Sequence, residues 1–304
     1  MDKYLLQRIV QAVICLLGVT AIIFMLVRLT GDPIEAMLPE MATKEDYDRL
    51  AAYWGMDKPV FVQYGVYLGK MVRGDFGTST RSHRPVIQEV LKRFPATIEL
   101  TIFAAMISVL VAVPIGAYSA LRRRGWLDMF GRVFAIIGQS MPTFWLGILL
   151  ILMFSGWLGL LPSSGRGSVG SYVLPAITLG YYLAAGIMRI TRSAFLEVLD
   201  SEYIKFARVK GLSEPVVLWK HAFKNAALPV LTFSVTLFIN MLSGSVVTEA
   251  VFGWPGVGLL MIESIRYKDF PVVQAVVVLL SALYLIGNLV TDIAYGYLNP
   301  KIRY

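Results

Sequence analysis

Long apolar runs without a single charge are what most restrict this chain. From Ile9 to Val27 the run is as long as a helix needs to cross the roughly 30 Å of hydrocarbon in a bilayer. Others follow at about Leu100 to Leu121, Val133 to Trp157, Val173 to Met188, Leu228 to Val247 and Val272 to Val290. In lipid the backbone N–H and C=O groups have only one another to bond, so such runs fold as helices. The sequence therefore predicts an all-α integral membrane protein with six transmembrane helices. Composition agrees, with 57% of residues hydrophobic and 16% charged, against about 45–50% and about 25% in soluble domains.

The charges between the runs set the orientation. Lys and Arg gather at Arg122-Arg123-Arg124, at Arg189 and Arg192, through residues 205–224 and at both chain ends, while the short loops on the other side carry Arg166, Arg266 and Lys268. The positive-inside rule then places both termini in the cytoplasm. It also accounts for the net charge of +8 without nucleic acid as a partner. Lys3 and Arg8 precede the first run as in a secretory signal, but the run exceeds a signal core and no A-x-A site follows, so it reads as a retained anchor.

Several chemistries are excluded. Cys15 is the one cysteine, and His83 and His221 stand far apart, so neither a disulfide framework nor a metal cluster can be assembled. No G-x-x-x-x-G-K-[ST] loop occurs, so the chain does not cradle nucleotide phosphates in that way. No Lys, Arg, Asp or Glu falls in the central part of a run, which argues against a voltage sensor or proton relay. Polar residues that do occur there, Gln139, Ser140, Asn240 and Ser243, are candidates to line a pathway, because lipid offers an amide no partner. Pro142 beside the first two predicts a kink.

Between the fourth and fifth runs lies an amphipathic stretch. Tyr203, Ile204 and Ala207 share one helical face, flanked by Glu202, Lys205 and Arg208. Gly211 suits a helix C-cap, Ser213 an N-cap and Pro215 the next first turn, so two short helices joined at a glycine are expected. They are too short to span a bilayer and too apolar to stand alone, which calls for a protein partner.

These residues carry a resemblance. Glu202 to Leu212, in the form E-Y-I-x-x-A-R-x-K-G-L, with His221 to Pro229, H-x-x-x-N-x-x-L-P, resembles the cytoplasmic loop of binding-protein-dependent ABC importer permeases of the dipeptide, oligopeptide and nickel branch. Gly31-Asp32-Pro33, Gly55-Met56-Asp57-Lys58-Pro59, Gly74-Asp75-Phe76-Gly77-Thr78-Ser79, Arg84-Pro85-Val86 and Phe252-Gly253-Trp254-Pro255-Gly256-Val257-Gly258 extend it almost end to end, in the manner of the first, B-type permease of a pair. The resemblance implies a type I ABC importer permease fold: an anchor helix and extracytoplasmic segment over 1–95, a permease domain over 96–297, and a coupling loop within it over 193–227. It implies half of a translocation pathway in a bacterial plasma membrane, completed by a second homologous permease. Two ATP-binding subunits would carry ATP and Mg, an extracytoplasmic binding protein would deliver peptides, and this chain would hold no cofactor.

By the same resemblance, Glu202, Tyr203, Ile204, Lys205, Ala207, Arg208, Gly211, Leu212, His221 and Asn225 couple to the ATPase. Asp75, Glu249, Trp254, Pro255 and Gly256 form an outer gate or binding-protein contact. Nickel chelates or glutathione fit the same machinery. An ion-coupled secondary transporter is the alternative of a different class, and it would need mid-membrane carboxylates or matched broken helices.

Overall fold

The computed structural model describes residues 2–30, 34, 38, 42–54 and 58–298, with side chains no further than 293. Gly31-Asp32-Pro33, Gly55-Met56-Asp57 and both chain ends lie outside the described residues. Among the described residues the secondary structure is helical: α1 (Asp2–Thr30), α2 (Lys44–Trp54), α3 (Val60–Val72), α4 (Val86–Leu121), α5 (Trp126–Ser140), α6 (Thr143–Leu150), α7 (Gly170–Leu199), α8 (Glu202–Val209), α9 (Glu214–Val216), α10 (Phe223–Val251), α11 (Val257–Arg266) and α12 (Phe270–Leu298). Two π-helical stretches, Ile151–Trp157 after α6 and Val217–Ala222 before α10, join these elements.

Among the described residues five helices are long and apolar enough to cross a membrane, and the bent pair Trp126–Ser140 with Thr143–Trp157, counted as one span, brings the number to six. That pair corrects one expectation. Pro142 does not kink a continuous helix; the two halves meet at 109°. Met141 is extended, with φ −86° and ψ 124°, because the proline ring disfavours the helical region for the residue before it.

The helix that carries the fifth span begins well before the apolar run at Leu228: α9, the π stretch and α10 run on as one rod from Glu214 to Val251. The polar residues Lys220, His221, Lys224 and Asn225 lower the hydropathy of its first turns without breaking the helix.

The chain divides into two compact units, Met1–Ala96 with Pro255–Leu289 and Thr97–Trp254 with Val290–Tyr304. Residues 255–289 thus group with the N-terminal segment.

In the first unit, α1 and α3 meet through Phe24, Tyr64 and Tyr67, with ring centroids 5.2 and 5.6 Å from Phe24. The Arg28 guanidinium lies 3.5 Å from the centre of the Phe24 ring and donates to Gln63 Oε1. Burial pushes the Tyr67 phenol up to about 12. A second cluster packs Val86 and Val90 against Val257, Leu260, Val272 and Val276. It is pinned by Asp269, which is buried and accepts from the Ser79 hydroxyl and the Thr80 N–H.

The second unit is organised around α7, whose buried residues face neighbours along most of its length. Asp128, Gly131, Ala135 and Gly138 of α5 are also buried and recur at helical spacing on the side where α5 meets α7. At Gly180 the backbone of α7 approaches α4 so closely that an added Cβ would stand 2.5 Å from Ser108 Oγ and 2.8 Å from the Ala104 carbonyl oxygen. Ser108 itself donates to both the Ala104 and Gly180 carbonyls, which joins the two helices where small residues let them touch.

Gly180→Ala is therefore expected to cost about 1–3 kcal/mol, the usual penalty of overpacking, measured as a lower thermal midpoint of the purified protein. Adding Ser108→Ala should not restore it, because the Ala104 carbonyl cannot move aside. Full recovery in the double variant would refute the backbone clash.

Candidate coupling interface

The amphipathic stretch folds as one short helix, α8, standing between α7 and the rod that begins at Glu214. The turn that ends α8 is built by local rules. Leu212 N–H donates to the Ala207 carbonyl and Gly211 N–H to the Arg208 carbonyl, the paired bonds of a Schellman motif. Gly211 takes φ +78°, a region that costs a residue with a Cβ roughly 1–2 kcal/mol. No atom lies within 4 Å of where its Cβ would be, so backbone conformation alone favours glycine there.

Ion pairs and hydrogen bonds brace the turn. Arg208 donates through Nε and Nη2 to both carboxylate oxygens of Glu214, at 2.8 and 3.3 Å, across Gly211. Asn225 Nδ2 donates to the Tyr203 hydroxyl at 2.6 Å, tying α8 to the first turn of α10. Lys205 Nζ reaches Glu202 at 2.7 Å, and that hydrogen bond raises the lysine pKa. At the end of α7, Arg123 Nη2 donates to Asp200 Oδ1 at 2.7 Å and holds the Asp200 carboxyl below its ordinary range.

Burial within the chain corrects the expected contact face. Ile204 and Ala207 are buried, as are Leu199 of α7 and Val217 and Leu218 of the π stretch, and α8 contacts both of those segments. These two residues hold α8 to its own chain and do not meet a partner. The apolar side chains presented outward are Tyr203, Phe206 at 65% exposure, Val209 at 85% and Leu212. Phe206 and Val209, at i+3 and i+6 from Tyr203, form a second stripe beside the buried one. Glu202, Lys205 and Arg208 are exposed at its edge, and His221 is half-buried.

The other expected residues divide by burial. Gln139, Ser140, Asn240 and Ser243 are exposed, and Gln139 Oε1 accepts from Arg189 Nη1 at 3.2 Å. Asp75 is exposed, but its Oδ1 accepts the Gly77 N–H in a tight turn. Glu249, Trp254 and Gly256 are buried inside the chain and Pro255 is half-buried, so the first three offer a binding protein no surface. Thr97 Oγ1 donates to Glu249 Oε1 at 2.7 Å, and the Trp254 ring lies 4.7 Å from that of Tyr172. The Tyr172 hydroxyl in turn donates to Glu99, which also pairs with Arg166. These groups weld the chain at that corner.

One cluster escaped the motif reading. Asp128, 1% exposed, accepts from Ser119 Oγ of α4, the Arg124 N–H, and Arg192 Nε and Nη2 of α7, at 2.6–3.2 Å, with Arg132 Nη2 also 3.2 Å away. A lone acid in the first turn of a helix, straight after a basic triplet, was its only signal in the sequence.

Comparison with known proteins places these features. The chain matches the family described as "Binding-protein-dependent transport system inner membrane component" over residues 112–304, and that family's N-terminal membrane-component region over residues 1–101. It is 36% identical to the dipeptide transport system permease protein DppB of Alkalihalophilus pseudofirmus. It is 41% and 39% identical to the glutathione transport system permease protein GsiC of Salmonella typhimurium and of Escherichia coli K12. Each match covers the whole of both chains. Among solved structures, a chain of the inward-facing MetNI methionine ABC transporter aligns with TM-score 0.59 and 18% identity, over 70% of this chain and 97% of that one. A chain of an amino acid ABC transporter aligns at 0.53 and 18%, over 71% and 94%. At that identity the likeness speaks for the fold alone, which is that of type I importer permeases.

Proposed function

The chain belongs to the family of binding-protein-dependent transport inner-membrane components, and on that premise we propose that it forms half of the pathway of an ATP-driven importer of short peptides. It is a multi-pass inner-membrane transport subunit and not an enzyme. The other half is a second, homologous permease. ATP and Mg bind to two partner ATPase subunits in the cytoplasm, where both termini of this chain also lie, and an extracytoplasmic binding protein delivers the substrate.

The observation that carries this reading is α8. A short helix fixed to its own chain by Ile204 and Ala207, yet leaving Phe206 and Val209 in solvent, is built to be gripped. Its grip passes on without slack, because Arg208–Glu214 and Tyr203–Asn225 join α8 to a rod that enters the membrane as α10. A partner that closes on ATP thus moves a membrane helix directly.

Peptides are the favoured cargo because the relatives' names specify dipeptides and glutathione, itself a tripeptide. The test is reconstitution with the partner subunits in vesicles. ATP should drive uptake of a labelled di- or tripeptide in the presence of the binding protein, and binding protein loaded with peptide should stimulate ATP hydrolysis. Flux through this chain alone under an ion gradient would overturn the reading in favour of a secondary transporter. Uptake of a nickel chelate but of no peptide would overturn the substrate class.

A further inference from the structure

The strongest feature left unused is a cavity of about 350 Å³ between α5 and α7, with Ser119, Arg132, Met188, Arg189, Arg192 and Ser193 in its wall. We propose that it holds the phosphate headgroup of an anionic phospholipid of the inner leaflet.

The charges around the cavity do not balance. Three guanidinium groups surround it, and the carboxylate that answers them, Asp128, is already bonded to Arg192 and close to Arg132. Arg189 meets the neutral Gln139 amide. Two positive charges are left over at the ends of apolar spans, where an anionic group can answer them. A phosphate diester supplies a negative charge and the oxygen acceptors that arginine forks fit best.

The place fits this source of phosphate. Arg132 lies just before the run from Val133, and Arg189 and Arg192 just after the run to Met188, so all three fall at the cytoplasmic boundary of their spans. Basic pockets between helices on that side are where anionic headgroups bind.

The neighbouring surface fits the acyl chains. Met129, Phe130, Val133, Ile136 and Ile137 of α5 are all exposed and recur at i, i+1, i+4, i+7 and i+8, a single apolar stripe running from the cavity along the helix. Trp126, 70% exposed at the start of α5, is the kind of residue that marks a headgroup level. The cavity volume lies within the roughly 300–1,000 Å³ of small-ligand sites. None of this depends on what the protein transports.

The test is native mass spectrometry of the full chain in its assembly, released from detergent containing equal phosphatidylglycerol and phosphatidylethanolamine. Phosphatidylglycerol should be retained selectively. Arg132→Gln with Arg189→Gln should weaken its retention roughly 30-fold, at about fivefold per arginine, whereas Arg189→Lys, which keeps the charge, should retain most of it. Excess inorganic phosphate should not displace the lipid. Equal retention of the two lipids, or unchanged selectivity in the double Gln variant, overturns the proposal. So does displacement by free phosphate, or by a millimolar peptide substrate, which would assign the cavity to the translocation pathway. If the double variant does not assemble, the comparison of Arg189→Lys with Arg189→Gln decides by itself.

Discussion

Phe206→Asp combined with Val209→Asp is expected to lower ATP-driven uptake at least 100-fold while leaving the chain folded. Both side chains stand in solvent, so the substitution removes nothing from this chain's own core, and exposed positions of that kind usually change stability by less than about 0.5 kcal/mol. In an interface the same two positions matter far more. Truncating a central aromatic anchor costs about 2–4 kcal/mol, and a loss of about 2.7 kcal/mol is already a factor of 100 in affinity. The two carboxylates add desolvation on the partner's side. Three measurements separate the outcomes: thermal midpoint, co-purification of the ATPase subunits, and uptake. The expected pattern is an unchanged midpoint with the other two lost. Normal uptake in the double variant would remove α8 from the energy path. The control is Ile204→Ala, where the thermal midpoint should fall, since a fully buried aliphatic side chain contributes about 2–5 kcal/mol.

That contrast marks what a sequence can and cannot say about a docking helix. Helical spacing revealed that Tyr203, Ile204 and Ala207 share a face and that Gly211 ends the helix, and the Schellman bonds and positive φ at Gly211 agree. Spacing does not say what covers a face. Two adjacent apolar stripes, Ile204/Ala207 and Phe206/Val209, are equally plain in the pattern, and only the burial of the first pair, where α8 meets α7 and the π stretch, assigns one of them to the chain itself. The membrane helices were legible for a different reason: lipid imposes one length and one polarity on every span. The same logic does not say how far a helix runs beyond the lipid. Hydropathy reports contact with lipid and not helicity, so the pattern shows a second short helix after Gly211 but not that it continues unbroken from Glu214 into the fifth span.

The break at Pro142 was legible as a proline and illegible as a 109° bend, because the angle depends on where α6 finds a surface. Gly147 of α6 sits against Thr178, Val251 and Phe252, contacts that no local rule anticipates. The surroundings of the residues expected at an outer gate were illegible on the same ground. Trp254 and Glu249 stand in a motif rich in turn formers, yet they are buried with Tyr172 and Thr97, partners far away in sequence. Residues whose role is set by neighbours on other helices leave little trace in a single sequence.

Asp128→Ala is expected to be the most damaging single substitution in the second unit, lowering stability by about 3–5 kcal/mol, the range for removing one member of a buried charge pair. The carboxylate accepts from three segments at once, Ser119 at the end of α4, the Arg124 N–H in the turn, and Arg192 on α7, so its loss leaves donors unsatisfied as well as charges unpaired. Buried networks of this kind are coupled, which a double-mutant cycle exposes. Arg192→Leu alone should leave a buried anion and also be severe, whereas Asp128→Leu with Arg192→Leu should be less harmful than the sum of the two, because neither charge is stranded. A shift within the usual surface range for Asp128→Ala, or strictly additive effects in the cycle, would show that the pair is incidental. The functional consequence follows from position. α7 ends at Leu199 and leads through Asp200, held by Arg123, directly into α8. On the proposed coupling, a motion delivered to α8 passes to α7 as well as to α10, and the bonds of Asp128 to Ser119, Arg124 and Arg192 hold α7 at that end. Milder variants such as Asp128→Asn, which keep the shape and lose the charge, should therefore lower the ratio of substrate transported to ATP hydrolysed before they lower the amount of assembled protein.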